Sequence, residues 1–172
     1  MVSAQESFDK GEEIVGMIAL DEIGCYKDTG YNPTPNNQIP KIPDDRVVMI
    51  SYGRGEILLD RFIKQFEKYS NTPVERVFGR SIVDYEHFVW PSPSENGWSD
   101  HFGYAGLGYP AMLITATGPF RYGAYYHTSQ DTPDKLDYVS FADVTQGIIG
   151  SVKDLVTVEN SEIRFVTFPN RK

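Results

Sequence analysis

Apolar residues fall in short runs separated by polar, proline-rich or glycine-rich stretches. Residues 15–20 (VGMIAL) form a continuous apolar run that meets Asp21-Glu22 at once. Six apolar residues without polar alternation predict a strand buried on both faces, as in a parallel sheet. Residues 46–52 (RVVMISY) predict a second strand, broken by Gly53 and Gly55. Leu59, Phe62, Ile63 and Phe66 then recur at i, i+3, i+4 and i+7, the clearest amphipathic helix in the chain. Residues 74–78 (VERVF) and 110–117 (PAMLITAT) predict the third and fourth strands. Phe141, Val144, Ile148, Val152 and Leu155 share one face of a later helix. Ser140 is its expected N-cap, with Asp143 three residues on as in a capping box.

The remaining stretches are less regular. Residues 1–13 are polar and predict a short helix, and residues 163–168 (IRFVTF) read as an edge strand. Residues 26–45 hold four prolines and read as a long loop, as do the aromatic, proline-containing residues 84–98. Strands alternating with helices predict an α/β fold: a three-layer sandwich with a mostly parallel sheet and helices on both faces. A length of 172 residues suits a single domain spanning 1–172.

Composition narrows the function. The 23 aromatic residues (10 Phe, 11 Tyr, 2 Trp) supply area for a sizeable core. A net charge of −8, with no Lys/Arg cluster, argues against nucleic acid as a partner. No apolar run approaches the roughly 20 residues needed to span a bilayer, and the N-terminus lacks the basic-then-apolar order of a secretory signal. The compartment stays unknown. The single cysteine, Cys25, rules out an internal disulfide framework and a Cys-rich zinc module.

Ligands bind beyond the carboxyl ends of strands in open parallel sheets, and three polar clusters lie at such places. Asp21-Glu22 ends the first strand, Ser99-Asp100-His101 opens a helical stretch before the fourth, and Tyr126-His127 with Asp131 follows the fourth. Carboxylates and imidazoles without thiolates suit a hard or borderline cation such as zinc. Each cluster also has a plain structural reading. Asp21 suits a helix cap, and Ser99-Asp100 suits an N-cap pair. His127 suits an ordinary loop, and Thr132-Pro133 suits a cap with proline at the first helical position. His87, among Tyr85, Phe88 and Trp90, reads as packing or surface.

Taken together, three segments resemble the second half of a co-catalytic zinc aminopeptidase. They are GMIALDEIGCY (16–26), SDHFGYAGLGYPAMLITAT (99–117) and FRYGAYYHTSQDTPDKLDY (120–138). The family is metallopeptidase family twenty-eight, which includes leucyl aminopeptidases and is related to the glutaminyl cyclases. The resemblance implies a zinc-exopeptidase-like fold with its N-terminal part missing. It implies a zinc-dependent exopeptidase acting on peptides, with Asp21 bound to one of two zinc ions and His127 to the other. It gives Tyr126 a role in stabilising the oxyanion. Ser99, Asp100 and His101 line the site as supporting or substrate-binding groups, and Asp131 orients the loop that carries the histidine.

The family's bridging Asp, its upstream His and its Glu-Glu pair all lie N-terminal to the motif that begins here at Gly16. Residues 1–15 contain no His and one Asp, Asp9. Glu12-Glu13 is no substitute. Only Ile14 separates it from the apolar run beginning at Val15, whereas a parallel crossover takes a dozen or more residues. The expectation is therefore a C-terminal portion of the catalytic domain, inactive alone, with zinc bound weakly or not at all. A catalytically degenerate binding module with the same fold is the alternative. Docking with a separately encoded N-terminal half, or self-association, is the partner expectation.

Overall fold

The computed structural model describes residues 2–26, 45–79, 99–116 and 128–157. Helix α1 (Val2–Lys10) leads to β1 (Met17–Leu20). Strand β2 (Val47–Tyr52) passes through a single 3-10 turn, Gly53–Gly55, into α2 (Glu56–Phe66) and then β3 (Val74–Gly79). Helix α3 (His101–Gly106), β4 (Ala111–Thr115), a second 3-10 turn (Pro133–Lys135) and α4 (Tyr138–Thr157) complete the described elements. The predicted edge strand at 163–168, the predicted loop at 84–98 and residues 27–44 of the predicted loop at 26–45 lie outside the described residues.

The sheet order is β1-β4-β2-β3. β1 runs parallel to β4, with Leu20 opposite Ile114, and β2 runs parallel to β3. The central pair β2/β4 is antiparallel, with Ile50 opposite Leu113. Two of the three pairings are thus parallel, as the sequence predicts. The antiparallel junction lies where β4, placed between β1 and β2, meets β2.

Side-chain alternation splits the core into two layers. Val47, Met49, Met112 and Ile114 meet Leu59, Phe62 and Phe66 of α2 and Val144 and Ile148 of α4. Val48, Ile50, Tyr52, Ala19 and Leu113 point the other way, toward Phe102 and Ala105 of α3. All six residues of β2 are buried, as expected for an inner strand covered on both faces.

β1 departs from expectation. Only Ala19 is buried, Leu20 is 50 % exposed, and Val15 just before the strand is 46 % exposed. The apolar run marks a strand correctly, but among the described residues β1 has a neighbour on one side only, so its cover is incomplete. The entry to β1 is set by α1. Gly11 (φ 73°) ends that helix, with the Gly11 N–H donating to the Phe8 carbonyl and the Glu12 N–H to the Ser7 carbonyl, both at 3.0 Å. Glu12 and Glu13 follow, both exposed and both at the end of β1 opposite Asp21.

The cap of α4 also differs from expectation. Asp137, not Ser140, receives the first helical donors: its Oδ1 accepts from the N–H groups of Val139 (3.1 Å) and Ser140 (3.2 Å). The Ser140 hydroxyl donates to Asp137 Oδ2 at 3.0 Å. An Asp sits three residues ahead of a Ser here, and the carboxylate is the better acceptor for an N-terminal turn.

Candidate functional site

Asp21 leaves the sheet at the carboxyl end of β1. Its N–H donates to the Ile114 carbonyl at 3.1 Å, extending the β1/β4 ladder by one bond. Its side chain is exposed, so a ligand can approach it from solvent. Glu22 follows with φ 55°, a left-handed conformation unusual for a residue with a side chain. Such positions cost about 1 kcal/mol or more and concentrate at functional turns.

The turn after Asp21 is fixed to the segment after β4. The Asp137 N–H donates to the Gly24 carbonyl at 3.0 Å. Gly24 is buried, and a side chain there would press on Leu136 Cδ2 at 3.1 Å and on Phe141. The chain stretch carrying Asp21 and the stretch running from Thr128 to Asp137 are therefore held together. This connection was not evident in the sequence. Its signals are a glycine at 24 that no turn rule required and an Asp at 137 overshadowed by Ser140.

Asp131 is exposed in a turn in which its N–H donates to the Thr128 carbonyl at 3.1 Å. Thr132 is extended and precedes Pro133, as expected of a cap position, but its side chain makes no cap bond. Its hydroxyl donates instead to Asp134 Oδ1 at 2.5 Å. Bonds from Lys135 and Thr132 hold the Asp134 carboxyl down at about 2.

The Ser-Asp-His cluster is split between solvent and core. Asp100 is exposed and precedes α3 in a helical conformation, and it makes no side-chain cap bond. The first turn is closed by the Phe102 N–H donating to the Ser99 carbonyl at 3.1 Å. The reading of Ser99-Asp100 as a side-chain N-cap pair is thus corrected: the backbone is already helical at Asp100. His101 is 2 % exposed, packed edge-on against Tyr52 with ring centroids 6.2 Å apart. Burial drives its imidazole down to about 4, with the nearby Asp100 charge opposing the shift.

Tyr126 and His127, together with His87, lie outside the described residues. Among the described residues no group of three or more His, Cys, Asp or Glu side chains is arranged to hold a metal ion. In type, a carboxylate at Asp21 fits zinc; in number, the described residues fall short of a site. No helix among them is long and apolar enough to cross a membrane.

Solved structures share this fold. The LapA aminopeptidase of Legionella pneumophila aligns with a TM-score of 0.55 and 16 % identity over 89 % of this chain and 34 % of its own. LapB of the same organism gives 0.56 and 18 %, covering 89 % of this chain and 34 % of its own. An aminopeptidase from Aneurinibacillus sp. strain AM-1 gives 0.52 and 24 %, covering 88 % and 28 % respectively. The chain thus spans about a third of the length of the structures it matches. No curated protein matches it in sequence. The model of Peptidase family M28 matches residues 48–152, a stretch running from β2 through most of α4. With more than half of its residues under that match and the fold in agreement, the chain belongs to Peptidase family M28.

Proposed function

We propose that this chain is the C-terminal portion of the catalytic domain of a zinc-dependent aminopeptidase, and that its 172 residues alone do not hydrolyse peptides. The carrying observation is Asp21. An exposed carboxylate ends a sheet strand, on a turn fixed to the segment that follows β4, within a chain of a peptidase family. Asp21 would hold one zinc ion and His127 the other. Bound zinc supplies polarisation of the scissile carbonyl and activation of water. Tyr126 would donate a hydrogen bond to the developing oxyanion, and Asp131 would orient the loop carrying His127. Asp100, exposed beside the buried His101, would line the substrate side.

The inactivity follows from counting. Working zinc sites take about three protein ligands. The sequence holds three histidines, His87, His101 and His127. His101 is buried in the core. Glu12-Glu13 precedes β1, and the pair that follows β1, Asp21-Glu22, already gives Asp21 to zinc, so among the described residues no second carboxylate pair ends a strand where a general base would stand.

The test is hydrolysis of leucyl-p-nitroanilide by the purified chain with added zinc. The reading predicts a rate equal to that of zinc alone. Activity abolished by a chelator and by Asp21→Ala would overturn the inactivity and leave the peptidase assignment standing. An upstream coding segment with the missing His, Asp and Glu-Glu pair, fused in frame, is expected to give chelator-sensitive hydrolysis. A fused protein with zinc bound but no hydrolysis would favour the binding-module alternative.

A further inference from the structure

The turn that carries Asp21 is pinned at both ends. At one end the Asp21 N–H donates to the Ile114 carbonyl of β4 at 3.1 Å. At the other, the Gly24 carbonyl accepts from the Asp137 N–H at 3.0 Å, at the start of α4. Between these anchors Glu22 sits at φ 55°, and the Cys25 N–H donates back to the Glu22 carbonyl at 3.3 Å. A glutamate in the left-handed region is held there by its surroundings, because its own preference lies elsewhere. Packing repeats the pattern. An added Cβ at Gly24 would meet Leu136 and Phe141, which bracket the first turn of α4.

Asp137 serves both sides of this junction. Its N–H holds Gly24, while its carboxylate closes the first turn of α4: Oδ1 accepts from the N–H groups of Val139 and Ser140, and Oδ2 from the Ser140 hydroxyl. The Phe141 N–H donates to the Asp137 carbonyl at 2.9 Å. These bonds fix the backbone of residue 137, and with it the direction of the N–H that reaches Gly24. We infer that the Asp137 side chain is a positioning residue for Asp21: by capping α4 it aims the N–H that holds the Asp21 turn, and so keeps Glu22 left-handed. The inference deepens the reading of Asp21 as a zinc ligand and takes its chemical meaning from that reading. Groups that orient a metal ligand typically matter by about 10–100-fold in metal affinity.

The test is hydrogen exchange read by NMR in the full chain, without zinc. Asp137→Ala should speed exchange at the amides of Cys25 and of position 137 by at least about tenfold. It should also move the Glu22 amide–Hα coupling, which reports φ, off its left-handed value. Asp137→Asn keeps a capping acceptor, so exchange should return to within about threefold of the parent and the coupling to the parent's value. Asp143→Ala loosens α4 through bonds that do not touch the turn, and should leave both readings unchanged. Faster exchange at Val139 and Ser140 alone, with Cys25 at the parent's rate, would reduce Asp137 to a helix cap and overturn the inference. An equal effect of Asp143→Ala would overturn it too, by tracing the change to a general loss of stability. The unaltered chain gives a reading that needs no variant. Its Cys25, Asp137 and Ser140 amides should share one opening, with protection factors within about tenfold of one another. A Cys25 amide that exchanges as fast as in an unfolded peptide would contradict the inference. None of these measurements uses zinc, so their failure removes the role of Asp137 and leaves the zinc reading of Asp21 to its own titration.

Discussion

Asp143 of α4 holds Thr72 from two sides: its Oδ2 accepts from the Thr72 N–H at 3.0 Å and from the Thr72 hydroxyl at 2.7 Å. The same carboxylate accepts from the Ser70 hydroxyl at 2.5 Å and from the Asn71 N–H at 3.1 Å. One side chain thus closes the turn between α2 and β3 and ties it to α4. Burial alone would raise this carboxyl, but the bonds from Ser70, Thr72 and the backbone outweigh it and hold it below its ordinary value.

Asp143→Ala should therefore destabilise the fold by about 1–3 kcal/mol at neutral pH, because it leaves several donors unmatched. A carboxyl depressed in the folded state adds stability that is present above its unfolded value near 3.9 and lost as pH falls through the folded value. The gap between parent and variant in urea titrations should be constant from pH 5 to 8 and shrink below about pH 4. A gap that stays constant down to pH 2 would refute the role of the charged form.

Gly147 should resist a favourable-looking change. Alanine is the better helix former by about 1 kcal/mol. At this position, however, an added Cβ would strike the Phe66 ring and lie 2.7 Å from Ser70 Cβ, where α4 crosses α2. Overpacking of this kind costs about 1–3 kcal/mol. Gly147→Ala should lower the melting temperature; a rise would show that α2 and α4 separate easily.

His101 gives a pH signature in a different window. Its folded value of about 4 lies below the ordinary 6.5, so the unfolded chain binds more protons between these limits. Stability should rise with pH from about 4 to 6.5, by up to roughly 3 kcal/mol. His101→Gln should flatten this part of the pH profile without altering the Asp143 effect below pH 4. A parent profile already flat between pH 4 and 6.5 would mean that His101 is hydrated in solution.

How much of this was legible in the sequence depends on which signal each residue carries. Leu59, Phe62 and Phe66 repeat at helical spacing and all three are buried, so α2 and its inward face were readable. β2 and β4 were readable as strands because their runs are continuous. That same continuity hid their relative direction, since two fully buried strands look alike whether parallel or antiparallel. For β1, pattern recorded the strand but not its sheet position, and position decides how much of Val15 and Leu20 is covered. Ser140 and Asp137 are both good caps, and sequence alone does not rank them. At the site, Asp21 was readable as the polar end of an apolar run. The clamp of Gly24 by Asp137 was not, because it joins residues more than 100 positions apart through a backbone carbonyl.

On the proposed assignment this chain would offer zinc one terminal ligand per ion, Asp21 and His127, with no bridge between them. Structural zinc sites stabilise small modules by on the order of 10 kcal/mol. Ligand stabilisation also grows with concentration over the dissociation constant. A thermal-shift titration with zinc, followed by a chelator, therefore reads out the number of ligands. One ligand per ion predicts no change in melting temperature at micromolar zinc, in the parent chain and in Asp21→Ala and His127→Ala alike. A chelator-reversible rise in the parent, lost in both variants, would contradict it and require further ligands from Glu22, Asp100, Asp131 or a second copy of the chain.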